Sequence, residues 1–357
     1  MQKQQRIYQL DIIRSIAIAS VVLIHCAENT FSPVTIASLN LVPKIAVLAL
    51  FVIGRVGVPL FLILTGFLFL SRDYSTTISI KKFYFRNLIP LLVCWLIWVT
   101  IYNIFDHFAR GITFSIGGYI SQILFLMPTG YVHAWYMPMI IGIYVFIPLI
   151  ARALKGISLK VLLAPITIAV IYFFVFPTIN RYLLILELPK VNGILNTEFS
   201  GGNWGVYLII GYLLNRYQTI IRQLCTRPYK IALTVLLLCA TGFSVLYLHH
   251  MVEYKQAISL WYDTFTLPIL AVCVFILVNT SNAPNLRFFK YTSIASFGIY
   301  LIHPLAIIVL SRFSFITQNT YIALFPLFFI TFGCSFAITL FFYKVLPKLS
   351  RLLFITK

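Results

Sequence analysis

Ten apolar runs dominate this chain, at residues 10–27, 45–70, 88–105, 135–153, 161–179, 204–215, 231–248, 265–279, 293–311 and 322–343. A helix needs about 20 apolar residues to cross the hydrocarbon core of a bilayer. In hydrocarbon each backbone N–H and C=O must be satisfied within the protein, so runs of this length commit the chain to helices. With 61% of 357 residues hydrophobic and 10% charged, the expected fold is an all-α membrane protein of about ten transmembrane helices. The run at 204–215 is short for a span. The run at 45–70 is long and carries Gly54-Arg55-Val56-Gly57-Val58-Pro59. A break is expected there, because Pro59 removes a helix donor and the glycines loosen the backbone. No repeat, Gly/Ser linker or appended soluble segment interrupts the series, so a single domain over 1–357 is expected.

The formal charge of +19 is informative through its position. Placing the N-terminus in the cytoplasm puts 19 Lys and Arg on that side and 6 on the other, with Arg14 and Arg55 inside spans. This positive-inside bias predicts two cytoplasmic termini and an even number of spans. It also argues against nucleic acid as a partner, since no basic module stands apart from the apolar runs. Cys26, Cys94, Cys225, Cys239, Cys273 and Cys334 lie mostly within apolar runs without CxxC spacing, and only His249-His250 are adjacent histidines. No metal site is expected from such spacing. The first run outlasts a signal peptide and carries Arg14, so it reads as a retained span.

That first run holds the most informative polar residues. Arg14 and His25 are eleven residues apart, which in a helix is only about 20° from a whole number of turns and about 16 Å along the axis. Asp11 and Glu28 fall on the same arc. Each charge at mid-bilayer costs about 2.5–3.5 kcal/mol, so the stripe requires buried partners or a polar cavity. His25 is the candidate general base for a hydroxyl, with Glu28 one turn on to orient it. The other reading of the pair is an imidazole bonded between helices and a carboxylate at the water interface. Arg14 fits a phosphate contact through its planar fork, or else a snorkelling pair with Asp11. Lys81, Lys82 and Arg86 fit further phosphate contacts, or an ordinary topology signal and attraction to anionic lipid.

Arg55, at the broken span, reads as a cavity lining or as the partner of a loop carboxylate. His133-Ala134-Trp135-Tyr136 begins the fourth run, where belt aromatics are ordinary. His303 lies near the middle of the ninth run, a depth at which a polar ring needs a partner. The chain has no P-loop, no GxSxG elbow and no metalloprotease helix. Its carboxylates are too scattered for a glycosidase pair.

Several segments, taken in order, resemble the integral membrane acyltransferase type 3 family over nearly the whole chain. Leu10-Asp11-Ile12-Ile13-Arg14 followed by His25 matches that family's Arg-x10-His element. Gly57-Val58-Pro59-Leu60-Phe61 leading to Thr65-Gly66-Phe67-Leu68 is similar to its second motif, with Thr65 where serine is usual. Arg86-Asn87-Leu88-Ile89-Pro90, His133-Ala134-Trp135-Tyr136 and Ser296-Phe297-Gly298-Ile299-Tyr300-Leu301-Ile302-His303 follow. The closest likeness is to the stand-alone form, without an attached hydrolase-like domain.

The resemblance implies transfer of an acyl group, usually acetyl from acetyl-CoA, to a hydroxyl of a cell-envelope glycan or glycolipid. It marks Arg14 and His25 as the essential pair, with no bound cofactor and acetyl-CoA as donor substrate. It also implies a multi-pass protein of the bacterial inner membrane, in contact with lipid. The expected path docks acetyl-CoA from the cytoplasm near Arg14, Lys81, Lys82 and Arg86 and threads its pantetheine arm towards His25. Asp11, Glu28, Arg55, Tyr136 and His303 are then supporting or acceptor-side residues, with Arg55, Tyr136 or helix-end amides facing the oxyanion. An acetyl-histidine intermediate is the chemical alternative. The rival class is a transporter or flippase of a lipid-linked saccharide, which also uses broken spans but commonly shows repeat symmetry absent here. A sensor or scaffold, its polar stripe only holding helices in register, is a third reading.

Overall fold

The computed structural model describes residues 7–191, 193, 201–254, 260–313 and 321–356, and these hold helices and connections with no strand. The helices used below are α1 (Tyr8–Thr30), α2 (Leu41–Arg55), α3 (Gly57–Phe69), α4 (Thr77–Arg110), α5 (Val132–Leu154) and α6 (Leu159–Ile185). They continue as α7 (Gly202–Arg216), α8 (Arg227–Glu253), α9 (Thr266–Asn279), α10 (Arg287–Leu310), α11 (Tyr321–Val345) and α12 (Pro347–Phe354). The protein is thus an all-α membrane protein. Among the described residues eight helical stretches are long and apolar enough to cross a bilayer, α2 and α3 together forming one of them. The remaining two apolar runs form shorter helices, α7 of 15 residues and α9 of 14.

Burial separates the centre from the rim. In its most apolar stretch α1 is 72% buried, whereas α6 is 11% buried. α1 packs against α2, α3, α9, α10 and α11. Its polar stripe is therefore surrounded by protein, as the cost of charge in hydrocarbon requires. The break expected in the second run falls at Val56, between α2 and α3.

α3 and α7 approach closely through two glycines. A Cβ on Gly66 would strike the Leu208 carbonyl, and one on Gly211 would strike the Ile63 carbonyl. Small residues allow such backbone contact, and van der Waals packing is what holds helices together in lipid.

α4 starts with Thr76 as its N-cap, accepting from the Ser79 N–H at 3.2 Å. It then passes through one π turn at Tyr84–Leu88. An eight-residue helix, Ile116–Ile123, follows α4 and is tied to it by Trp95 Nε1 donating to the Gln122 carbonyl at 3.3 Å. At eight residues this helix is too short to span a bilayer.

The basic tail is more than a topology signal. α12 seats Phe354 and Ser350 in buried positions. Trp98 Nε1 and Cys94 Sγ both donate to the Leu353 carbonyl, at 2.8 and 3.1 Å.

Gly211→Ala should lower the melting temperature in detergent, since forced overpacking costs about 1–3 kcal/mol. Gly142, with open space where a Cβ would go, is the control, and Gly142→Ala should melt like the parent. Tryptophan fluorescence during heating reads both; unchanged melting of Gly211→Ala would contradict the α3–α7 contact.

Candidate functional site

A cavity of about 880 Å³ runs along α1. At one end it is lined by Asp11, Arg14, Arg72, Asn87 and Ser293, and at the other by His25, His133, Trp135, Tyr136, Tyr262 and Tyr300. Arg14 and His25 thus share one chamber, as their helical spacing demands. Its volume lies within the range of about 300–1,000 Å³ usual for small-molecule sites.

At the first end, Arg14 Nη1 donates to Ser293 Oγ at 2.8 Å and lies 4.0 Å from Asp11 Oδ1. Ser15 Oγ lies 2.8 Å from the Asp11 carbonyl and 3.2 Å from the Phe289 carbonyl, sharing its one proton between them and tying α1 to α10. Lys81, Lys82 and Arg86 are exposed and line no part of the cavity. The π turn at Tyr84–Leu88 carries the register here, with Asn87 buried and facing the chamber and Arg86 turned to the outside. The second cation lining the chamber is Arg72, whose Nε donates to the Leu68 carbonyl at 2.8 Å.

At the other end, His25 Nδ1 lies 3.2 Å from Glu28 Oε2. A carboxylate only accepts, so the neutral ring carries its proton on Nδ1 and keeps the Nε2 lone pair. The other oxygen of Glu28 accepts from Arg55 Nη2, and Arg55 Nη1 lies 3.5 Å from the Tyr262 hydroxyl. Arg55 does not line the cavity. The broken span delivers it to the carboxylate of α1, behind the cavity wall. Burial pushes the Tyr262 phenol up, against the pull of the Arg55 guanidinium.

Two further imidazoles close on His25. His303, fully buried, stacks on it with ring centroids 5.3 Å apart, and His133 sits 6.3 Å away, edge-on. Tyr102 spends its single hydroxyl proton on the Leu301 carbonyl at 2.8 Å, so His133 Nε2, 3.0 Å from that hydroxyl, must donate and its Nδ1 is left to accept. His303 Nδ1 lies 3.1 Å from the Ile299 carbonyl, and its Nε2 has no hydrogen-bond partner among the described residues. Each ring therefore presents one unprotonated nitrogen. Tyr136 lines the chamber beside them. Among the described residues no group of three or more His, Cys, Asp and Glu is arranged to hold a metal ion.

Sequence reasoning did not single out His133 as a site residue, nor Arg72, Ser293 or Tyr262. The signal for His133 was its place one residue before the Ala134-Trp135 step in a matched motif. No local pattern marked the others.

Apolar helices around a buried polar chamber define a multi-pass membrane protein with an internal site. The chain matches the acyltransferase domain model over residues 7–344, nearly its full length, and it belongs to the acyltransferase type 3 family. No curated protein and no solved structure matches it.

Breaking the Glu28–Arg55 pair removes one partner of a partly buried ion pair in which the Glu28 side chain is 30% exposed, so the loss falls below the value of about 3–5 kcal/mol for a fully buried pair. Glu28→Ala and Arg55→Ala should each destabilise the protein, and the double variant should lose less than the sum. A thermal-denaturation double-mutant cycle measures the coupling; strictly additive losses would mean the two groups do not meet.

Proposed function

We propose that this acyltransferase moves an acetyl group from acetyl-CoA to a hydroxyl of an envelope glycan or glycolipid, in a bacterial inner membrane with both termini cytoplasmic. The observation that carries this reading is the single chamber holding Arg14 and His25, with Glu28 on the Nδ1 side of the imidazole. The donor's phosphates sit at the Arg14 end, where Arg72 adds a second cation. The uncharged pantetheine arm lies along α1 and brings the thioester to His25. Lys81, Lys82 and Arg86 lie outside the chamber and act on the donor's approach.

His25 Nε2 takes the acceptor hydroxyl proton as its oxygen attacks the thioester carbonyl carbon. A tetrahedral oxyanion forms, and Tyr136 is the group on the chamber wall suited to meet it. Collapse breaks the C–S bond, and the CoA thiolate leaves with the proton returned from His25. Glu28 steadies the imidazolium between these steps, and Arg55 holds Glu28 in place.

His25→Ala should cut acceptor-dependent release of CoA thiol by about 10²–10⁴-fold, the usual worth of a positioned base, with insertion and folding retained. Arg14→Ala should chiefly raise the KM for acetyl-CoA, by about 10–100-fold for a lost charge-assisted hydrogen bond. Thiol release by purified protein with acetyl-CoA and extracted envelope glycan is the assay. Near-normal turnover in His25→Ala would remove the base from this scheme, and lost turnover with an unchanged KM in Arg14→Ala would move Arg14 into the chemical step.

A further inference from the structure

Three tryptophans far apart in the chain, Trp135, Trp204 and Trp261, meet around Tyr262 at the His25 end of the chamber. Trp135 stacks on Trp204 with centroids 5.4 Å apart and planes 29° from parallel. Trp261 and Tyr262 lie 5.8 and 5.4 Å from the same indole. The Arg55 guanidinium sits over Trp261 and Tyr262, 5.7 and 5.6 Å from their centroids. A desolvated cation against a ring face is a strong form of that contact, and it fixes the rings that it covers.

An aromatic belt does not account for this arrangement. Belt rings sit at the headgroup level with one face to lipid. Here the helical turn Val132–Trp135 turns Val132 outward, 79% exposed, and sends His133 and Trp135 inward to the cavity wall. A cluster that only filled space would be closed on all sides. Trp135 and Tyr262 instead line open volume shared with His25. Tyr136 and Tyr300 bound the same volume, with rings 5.5 Å apart, and Tyr300 is 5.2 Å from His133.

An aromatic face carries negative charge density and attracts weakly positive C–H groups. A pyranose offers such a face of axial C–H bonds, with its hydroxyls projecting around the edge. We propose that Trp135, backed by Trp204 and Tyr262, is the stacking platform for the acceptor's sugar ring and turns the reacting hydroxyl to His25. The inference rests on the glycan acceptor of the preceding reading and adds where, and by which face, that glycan is held. Tyrosine hydroxyls and imidazole nitrogens beside the platform accept and donate to the remaining hydroxyls, while the indole selects for a ring over an open chain.

The test reads binding alone, without acetyl-CoA. Saturation-transfer NMR on the detergent-solubilised full chain uses the methyl pyranosides of glucose, galactose, mannose, rhamnose and N-acetylglucosamine, with the open-chain polyol sorbitol as control. At least one pyranoside should receive saturation on its axial ring protons and sorbitol should not. Trp135→Leu should weaken that signal about tenfold, the scale of one aromatic contact, while Trp135→Phe keeps most of it. Near-parental melting of both variants ties the loss to the ring.

Equal signals in the parent and Trp135→Leu, or none from any pyranoside, would overturn the platform. So would saturation of the pantetheine protons of free CoA that Trp135→Leu removes, because the rings would then belong to the donor. None of these results touches thiol release, so the subsite can fail while acyl transfer stands. Conversely, pyranoside binding without thiol release would leave the platform and remove the transferase scheme.

Discussion

Four ionisable side chains on one arc of α1 would each cost about 2.5–3.5 kcal/mol against lipid, so protein has to meet every one of them. Each meets it differently. Ser293 of α10 accepts from Arg14 and Asp11 lies beside it. Arg55, carried on the last turn of α2, takes one oxygen of Glu28, and His25 takes the other. α1 consequently sits at the centre, packed by α2, α3, α9, α10 and α11, with α6 left at the rim. The chamber exists because the polar arc cannot be packed with hydrocarbon and is not filled by its partners.

This constraint is legible in the sequence. The apolar runs specify helices, and the eleven-residue step from Arg14 to His25 specifies that both reach one face. Glu28 at i+3 from His25 specifies their contact. What the sequence could not supply is every partner from another helix. Nothing local says that Arg55 chooses Glu28 over a loop carboxylate, because the choice depends on how the break at Val56 aims α2. Nor does any short-range pattern say that His133 and His303 converge on His25. That meeting depends on Tyr102 bridging α4 to both His133 and the Leu301 carbonyl of α10.

The basic residues expected to line the donor's route illustrate the same limit from the other side. Lys81, Lys82 and Arg86 have the right charge but are exposed and line no part of the cavity, while Asn87, within the π turn of α4, is buried at its wall. A count of charges along the chain cannot register one extra residue in a turn. The tail behaves similarly: its lysines and arginine read as a topology signal, while the apolar face between them brings Phe354 and Ile355 to the chamber wall. Amphipathic spacing was present in Pro347–Phe354, but which neighbour it would cover was a tertiary matter.

With Arg14 holding the donor's anion and His25 the reacting centre, as proposed, the chamber's two ends impose two requirements on a donor. An anionic group held at Arg14 cannot follow the polar arc through the bilayer without losing its hydration, so it stays at that end. The reactive carbonyl must nevertheless reach His25, about 16 Å away at the rise of an α-helix. A donor with a charged head and a long uncharged linker, such as an acyl-CoA, satisfies both. A transported saccharide would need no separation between a cation and a base. Glu28 on Nδ1 fixes the tautomer that leaves the Nε2 lone pair of the neutral ring towards the chamber, which on the proposed reading is of use to an acceptor that loses a proton and of little use to a solute that merely passes.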